Sequence, residues 1–424
     1  MTTEPPRFPL SEHRLDNGLR VIVHPDDSTP VVAVHVMYHV GSKNERPGKT
    51  GFAHLFEHLL FQGSEHVEGT EHMRFVQDAG GSMNGSTWFD RTNYYETLPA
   101  NWLDLALWLE SDRMGFFLPA ISQAKLDNQR DVVKNERRQS YENRPYGLAV
   151  ETVLRATFPE GHPYRHPTIG YMEDLDAATL DDVTEFFRTW YGPANATLVV
   201  AGDVSVGTAV ERVHHWFGDI GGEQPPAPPA LVPRPPRRVH AQITDQVSVP
   251  RVYLAFPAPS FTDPGFEAAD VLSSLLADGR SSRLYASLVH ERRVAADVSA
   301  SVWPTESVGL LWVVATARPG VDAASLEGEV RGVLAELRAA GPTERELAGA
   351  RNRSRRQLVR QLASVGRRAD VIAHTAIYRD DPEYVNTVFE RYDAIGEAEI
   401  AATAEQVLDP GDGTTLHVIP EETS

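Results

Sequence analysis

The sequence predicts an α+β fold of two homologous domains, each a mostly antiparallel β-sheet packed with helices, related by internal duplication. Two observations lead there. The segment GGEQPPAPPALVPRPPRR at 221–238 is so dense in proline and glycine that neither a helix nor a central strand can run through it, and it divides the 424-residue chain into similar halves. The halves then show strand-like and helix-like runs in the same order. This delimits residues 1–220 as an N-terminal domain, 221–238 as a linker and 239–424 as a C-terminal domain.

In the first half, RVIVH (20–24) and VVAVHVMYHV (31–40) are rich in β-branched residues and predict strands. A helix follows in GFAHLFEHLLFQG (51–63), with Phe52, Leu55, Leu59 and Leu60 as its core-facing residues, and a short helix over 69–79. SMNGSTWFDRTNYYETLP (82–99) reads as a hairpin, 100–116 and 121–142 as helices, and NATLVVAG (195–202) as a late strand. The second half offers VYLAF (252–256), a helix from 265, another near 281–292, a hairpin at 295–316, long helices over 322–390 and a last strand, TTLHVIP (414–420).

The duplication bears on the helix at 51–63. Gly265-Phe266 lies 214 residues after Gly51-Phe52, and the same offset puts Ala268, Val271 and Leu272 where the first half has His54, Glu57 and His58. Packing alone is therefore met by apolar residues in those places. On a helix the polar trio stands at i, i+3 and i+4, so all three side chains leave from one face. A carboxylate buried beside two imidazoles is costly unless a cation or tight hydrogen bonds compensate it. Two imidazoles that ligate a metal beside a glutamate that deprotonates water satisfy that demand, and His-x-x-Glu-His is the inverse of the metalloprotease motif His-Glu-x-x-His.

Composition narrows the chemistry. There is no cysteine, so disulfides, thiolate metal sites and a cysteine nucleophile are excluded. The formal net charge of −19 argues against nucleic acid as the main partner and suggests that basic peptides are favoured over acidic ones. No apolar run approaches a membrane span, and the opening MTTEPPRFPLSEH lacks the features of a signal peptide, so a cytoplasmic protein is expected. The basic run RNRSRRQLVRQLASVGRR (351–368) reads as a solvated or cavity-facing helix side. His162 and His166, between prolines, read as loop residues, His214 and His215 as structural, and GRSSR (279–283) as a turn opening a helix.

A hydrolytic metal site normally takes three protein ligands, and here the third must be His, Asp or Glu. On the helix QAKLDNQRDVVKNERRQSYENRP, Glu136 follows Val133 at i+3 of an apolar side, with Asp131 and Glu142 as alternatives that spacing does not separate.

HLFEH followed after 77 residues by Glu136 in VVKNE resembles the M16 (pitrilysin-like) zinc metallopeptidases. So do GSKNERPGKTGFAHLFEHLLFQGS, GGSMNGSTWFDRTNYYETLP, RDVVKNERRQSYENRPYG, GHPYRHPTIG and NATLVVAGD for that family's first half, and GRSSRLYASL for its second. The size is similar to the short two-domain type, such as the mitochondrial processing peptidase beta subunit and bacterial M16B peptidases, in which two chains pair into a closed shell. The resemblance implies one Zn²⁺ per chain held by His54, His58 and Glu136, with Glu57 as general base. It also implies that SMNGSTWF is an edge strand receiving a substrate peptide by strand addition, with Asn84, Gly85 and Ser86 at the substrate. Family members tend to carry a supporting glutamate seven residues before the third ligand, a place held here by Gln129, which has no charge.

A second departure concerns the C-terminal domain. Members that act alone supply from it an arginine and a tyrosine, seven apart, for substrate and tetrahedral intermediate. In LVHERRVAAD the two places are Val289 and Ala296, unless Arg292 or Arg293 substitutes in a shifted register. The implied protein is a zinc-dependent endopeptidase cleaving unfolded peptides in an enclosed chamber. It would be the metal-bearing subunit of a heterodimer with a homologous subunit that lacks zinc ligands and supplies the Arg/Tyr pair. The alternatives are a non-catalytic assembly or scaffold subunit, and a metal-dependent hydrolase of a non-peptide amide.

Overall fold

A computed structural model describes residues 6–421. The chain forms two compact units, each drawing on both sequence halves. One comprises the residues up to Arg137 with His166–Leu231 and Arg360–Asn386; the other comprises Arg138–Arg165, Val232–Val359 and the residues from Thr387 onward. Compactness thus groups the chain differently from the two duplicated halves.

The first sheet has six strands: β1 (Ser11–Arg14), β2 (Arg20–Pro25), β3 (Val31–Tyr38), β4 (Ser82–Thr87), β5 (Thr92–Pro99) and β6 (Ala196–Gly202), in the order β1-β2-β6-β3-β5-β4. The second has five: β7 (Arg238–Asp245), β8 (Arg251–Ala258), β9 (Ala295–Val302), β10 (Gly309–Ala317) and β11 (Gly413–Pro420), in the order β7-β11-β8-β10-β9. β2 pairs parallel to β6 and β7 parallel to β11, while the other pairings are antiparallel. Without β1 the two orders coincide strand for strand, as internal duplication requires.

Helices fill the connections: α1 (Phe52–Leu59), α2 (Glu71–Asp78), α3 (Leu103–Phe116), α4 (Gln123–Arg137), α5 (Ala149–Thr157), α6 (Met172–Asp176), α7 (Leu180–Trp190) and α8 (Val206–Phe217). Then come α9 (Phe266–Ala277), α10 (Ala323–Ala340), α11 (Glu344–Gln361), α12 (Val365–Arg379), α13 (Tyr384–Asp393) and α14 (Glu397–Val407). α4 continues from Arg138 to Glu142 as a π-helical turn, and the segment near 281–292 is also π-helical, over Tyr285–Glu291.

In the first sheet, β3 and β6 are covered on both faces, which explains why they are apolar along most of their length. On β5, Tyr94 and Glu96 turn toward α1, α2 and α3: the Tyr94 hydroxyl donates to Phe56 O at 3.3 Å and Glu96 meets His72. The alternate residues turn toward α12, where Asn93 donates to Asp370 at 3.3 Å and His35 of β3 lies 3.7 Å from the same carboxylate. β4 is the outer strand and is largely uncovered, as an edge strand should be. In the second unit, α5 packs on β11, β7 and β8, and α9 on β9 and α14. The end of the proline-rich segment is tied down there by Arg234, which donates to Thr157 O and to both carboxylate oxygens of Asp412.

The basic run at 351–368 is solvated at Arg356, Arg360 and Arg367, while other arginines in it are engaged. Arg355 pairs with Asp393 at 2.6 Å, Arg351 donates to the carbonyls of Asp393 and Ile395, and Arg368 is buried, donating to His24 and pairing with Asp26. No helix among the described residues is long and apolar enough to cross a membrane.

Candidate metal centre

α1 starts at Gly51, whose φ of +86° belongs to the left-handed region. A Cβ there would meet Ile169 O at 2.6 Å, and one on Gly170 would meet Gly51 N at 2.3 Å, so both positions require glycine. Two amides at the start of the helix are satisfied by a residue outside it. Glu45 accepts from Gly51 N through Oε2 and from Ala53 N through Oε1, each at 2.8 Å, and His166 Nε2 lies 2.8 Å from Oε2. Burial pushes the Glu45 pKa up, while the His166 contact and the two amides pull it down.

Phe52, Ala53, Leu55, Phe56 and Leu59 bury one side of α1, leaving His54, Glu57 and His58 on the other. The two imidazoles stand one turn apart, ring centroids 4.9 Å and planes 74°. α4 brings Glu136 to them, its Oε2 3.4 Å from His58 Nε2 and 3.7 Å from His54 Nε2. All three ligand atoms lie within 4.8 Å of one another. A tetrahedral ion with bonds near 2.0–2.1 Å separates its ligand atoms by about 3.4 Å, so the spacing fits such an ion. The charge states fit as well. Burial lowers the His54 pKa and keeps the ring neutral, and the hydrogen bond with His58 lowers that of Glu136 and keeps it ionised. Neither Asp131 nor Glu142 joins the group among the described residues.

Glu57 stays out of the trio. Its Oε2 accepts from the Thr87 hydroxyl at 2.7 Å, so the end of the edge strand holds the carboxylate beside the two imidazoles. Along β4, Asn84 is exposed with Oδ1 accepting from Gly85 N, and the Ser86 hydroxyl donates to Asn93. A Cβ on Gly85 would touch the Phe61 ring at 3.1 Å. Arg91 donates to the carbonyl and the hydroxyl of Ser86, which fixes the hairpin. Gln129 is buried on α4, but its amide donates to neighbouring Asn128, while His54 Nδ1 is buried without a hydrogen-bond partner.

Sequence reasoning missed Glu45, Thr87 and Gly170; His166 lies in a loop and outside the ligand group, as expected, but its contact with Glu45 was not foreseen. Their stretches, GSKNERPGKTG, SMNGST and GHPYRHPTIG, were legible, but nothing in local periodicity pairs residues 121 positions apart. In the second unit, Val289 is buried on the π-helical turn and Ala296 lies on β9. Of the two possible substitutes, Arg292 is bound to Glu329 at 2.5 Å and lies 3.6 Å from Glu336, both of α10, while Arg293 is exposed with φ of +56°.

Two sheets of matching strand order, with an inverted His-x-x-Glu-His helix facing the carboxylate of Glu136, fit the scaffold of a metallopeptidase. Residues 20–170 match the family model described as insulinase (peptidase family M16), and residues 177–354 the one described as peptidase M16 inactive domain. The chain belongs to peptidase family M16. It is 31% identical over 372 residues to the zinc protease PqqE of Helicobacter pylori, covering 86% of this chain and 83% of that protein. It is 25% identical over 266 residues to a probable mitochondrial-processing peptidase subunit beta of Arabidopsis thaliana, covering 62% of this chain and 49% of that protein. The crystal structure of a protease from Helicobacter pylori matches the fold with a TM-score of 0.91 at 27% identity, over 97% of this chain and 100% of that one.

Proposed function

We propose that this chain is the metal-bearing subunit of a zinc-dependent endopeptidase that cleaves unfolded peptides in an enclosed chamber. The observation that carries the reading is the convergence of His54, His58 and Glu136 beside a Glu57 carboxylate held by the edge strand. Zinc bound by those three residues would polarise the scissile carbonyl and acidify the attacking water. Glu57 takes the proton from that water and returns it to the leaving amine. Thr87 anchors Oε2 of Glu57 and so leaves Oε1 for the transfer.

β4 selects extended backbone. Its outer edge bonds a peptide main chain with little demand on sequence, which favours unfolded segments over folded ones. Asn84, Gly85 and Ser86 form the contact strip. Ser86 also lines a cavity of about 570 Å³ with Arg91, Asn93, Tyr95 and Asp370, room for a substrate side chain on the α12 face.

Val289 and Ala296 motivate the second part of the proposal. Neither side chain can donate a hydrogen bond and Arg292 is engaged elsewhere; with Arg293 as the remaining candidate in this chain, we assign the arginine and tyrosine to a homologous partner chain. The test compares zinc content and peptide hydrolysis of the wild type and Glu57→Gln, each alone and with a homologous chain from the same source. Zinc in both proteins with hydrolysis only in wild type plus partner is the expected pattern. A zinc-free wild type would leave the scaffold role, and strong activity of the wild type alone would remove the partner.

A further inference from the structure

We infer that the second unit holds another transition-metal site, formed by His240, Glu327 and His417. The three come from three elements. Register sets His240 of β7 opposite Thr415 of β11 and Gln242 opposite His417. By strand alternation the rings of His240 and His417 therefore leave the sheet on the same face, as diagonal neighbours. α10 covers that face and presents Glu327, which also receives the Thr415 hydroxyl.

The geometry parallels the first centre. Glu327 Oε2 lies 2.9 Å from His417 Nε2 and 3.8 Å from His240 Nε2, against 3.4 and 3.7 Å for Glu136 with His58 and His54. The imidazole centroids are 4.5 Å apart at 83°, against 4.9 Å and 74°. Here too the three ligand atoms fall within 4.8 Å of one another. The two carboxylate oxygens of Glu327 are divided: Oε1 takes Arg331 at 2.6 Å and Arg238 at 3.1 Å, leaving Oε2 to the imidazoles. The His417 hydrogen bond and the Arg331 guanidinium hold the Glu327 carboxyl far below the usual range, so the oxygen is anionic.

Two imidazoles and one carboxylate suit a borderline ion such as Zn²⁺, Co²⁺ or Ni²⁺ and not Ca²⁺ or Mg²⁺, which prefer oxygen ligands throughout. The His240 side chain is 49% exposed, which gives the ion an entry and water a place as fourth ligand. The two guanidiniums on Oε1 set the affinity below that of the first centre. Not every such cluster qualifies. His72, Glu96 and Glu110 also lie within ligand distance of one another, but the Arg113 guanidinium sits 3.0 Å from both nitrogens of His72 and occupies the cation's place. Bound at His240, Glu327 and His417, an ion would staple β7, which pairs with β11 at the sheet edge, to β11 and α10.

The inference is independent of peptidase activity and is tested on the full chain. Metal-free protein is titrated with Zn²⁺ and, for ligand-field absorption, with Co²⁺. Wild type is expected to take up two equivalents, His54→Ala/His58→Ala one, and His240→Ala one; adding His240→Ala to the double variant should abolish uptake. Zinc should also raise the unfolding temperature of the double variant, and His240→Ala should remove that rise. A single equivalent in wild type that His240→Ala leaves intact overturns the site, as does residual uptake by the double variant that survives both His240→Ala and Glu327→Gln. If the first centre alone fails, wild type still binds one equivalent that depends on His240. Should the double variant not fold, the wild type and His240→Ala stoichiometries decide.

Discussion

Glu45 and His166, 121 residues apart in sequence, meet at 2.8 Å and together cap the helix that carries the inverted motif. The Glu45 carboxylate takes the amides of Gly51 and Ala53, and Ala53 immediately precedes His54. The first imidazole is therefore placed by a residue that never touches it. Glu45→Ala would strand two buried amides and is expected to cost about 2–3 kcal/mol, the sum of a lost cap and a desolvation penalty. Zinc affinity should fall about ten-fold, as for other residues that orient ligands. Glu45→Gln keeps one acceptor oxygen and should lose less of both. Competition with a chromophoric chelator and thermal unfolding read the two effects; an unchanged zinc affinity in folded Glu45→Ala would show that the cap does not place His54.

The buried Nδ1 of His54 has no hydrogen-bond partner, and Gln129, seven residues before Glu136 on α4, spends its amide on Asn128. Two turns of helix put positions 129 and 136 on one side. Gln129→Glu is expected to give the imidazole an anionic acceptor and to tighten zinc about ten-fold. The same chelator titration decides, and weaker binding would mean that desolvating a second carboxylate outweighs the orientation it provides.

How much of this was legible from sequence follows from where the physics is local. The helix with His54, Glu57 and His58, the hairpin at β4 and β5, and the buried strands β3 and β6 announce themselves within short windows, by spacing or by predominantly apolar runs. β1 and β7 alternate exposed and half-buried residues, so they lack the hydrophobic signal of a central strand. The short helices α5 and α6 lie near the Pro- and Gly-rich stretch 161–170, which blurs a 3.6-residue pattern. Compactness was the least legible: α12 packs on β3 and β6 although it follows the linker by more than a hundred residues, and nothing in its own sequence says which sheet it covers. Within the basic stretch, Arg356, Arg360 and Arg367 are exposed as read, whereas the ion pairs of Arg368 and Arg355 were not legible, since their partners Asp26 and Asp393 are distant in sequence.

Behind the motif helix, Arg113 is a fully buried charge. It lies 3.2 Å from Glu110 and stacks over the rings of Phe61 and Tyr94 at 4.9 and 4.3 Å. Burial pushes both Glu96 and Glu110 up to about 7, against the opposing pull of the guanidinium. Arg113→Met removes that pull and leaves two buried carboxyls facing each other, a change expected to cost about 3–5 kcal/mol. Because the carboxyls are protonated in acid, the loss should be smaller at pH 5 than at pH 8. Unfolding temperatures of wild type and variant at the two pH values test this, and a pH-independent loss would assign the role of Arg113 to packing alone.

His35 offers a pH effect of the opposite sign. It is buried at the face of β3 beneath α12, accepts from the Asn93 amide at 3.2 Å, and has a buried Nδ1 with no partner. Burial brings its pKa down to about 4, and Asp370 only partly offsets this. In the unfolded chain the ring takes a proton near pH 6.5. Between those values the unfolded state binds a proton that the folded state refuses, so acid favours unfolding: the stability tied to a neutral His35 is whole above pH 6.5 and drains away as pH falls toward 4, by up to about 1.4 kcal/mol per unit. Glu96 and Glu110 work against this trend, since their raised pKa values make the folded state the better proton binder below 7. The His35 contribution is therefore read as a difference. His35→Gln keeps an acceptor for Asn93 but cannot titrate, so its stability relative to wild type should improve steadily from pH 6.5 down to pH 4.5 and stay level above pH 7. Denaturant titrations at half-unit pH steps give the curve, and a constant difference across that range would mean that His35 is protonated in the folded protein.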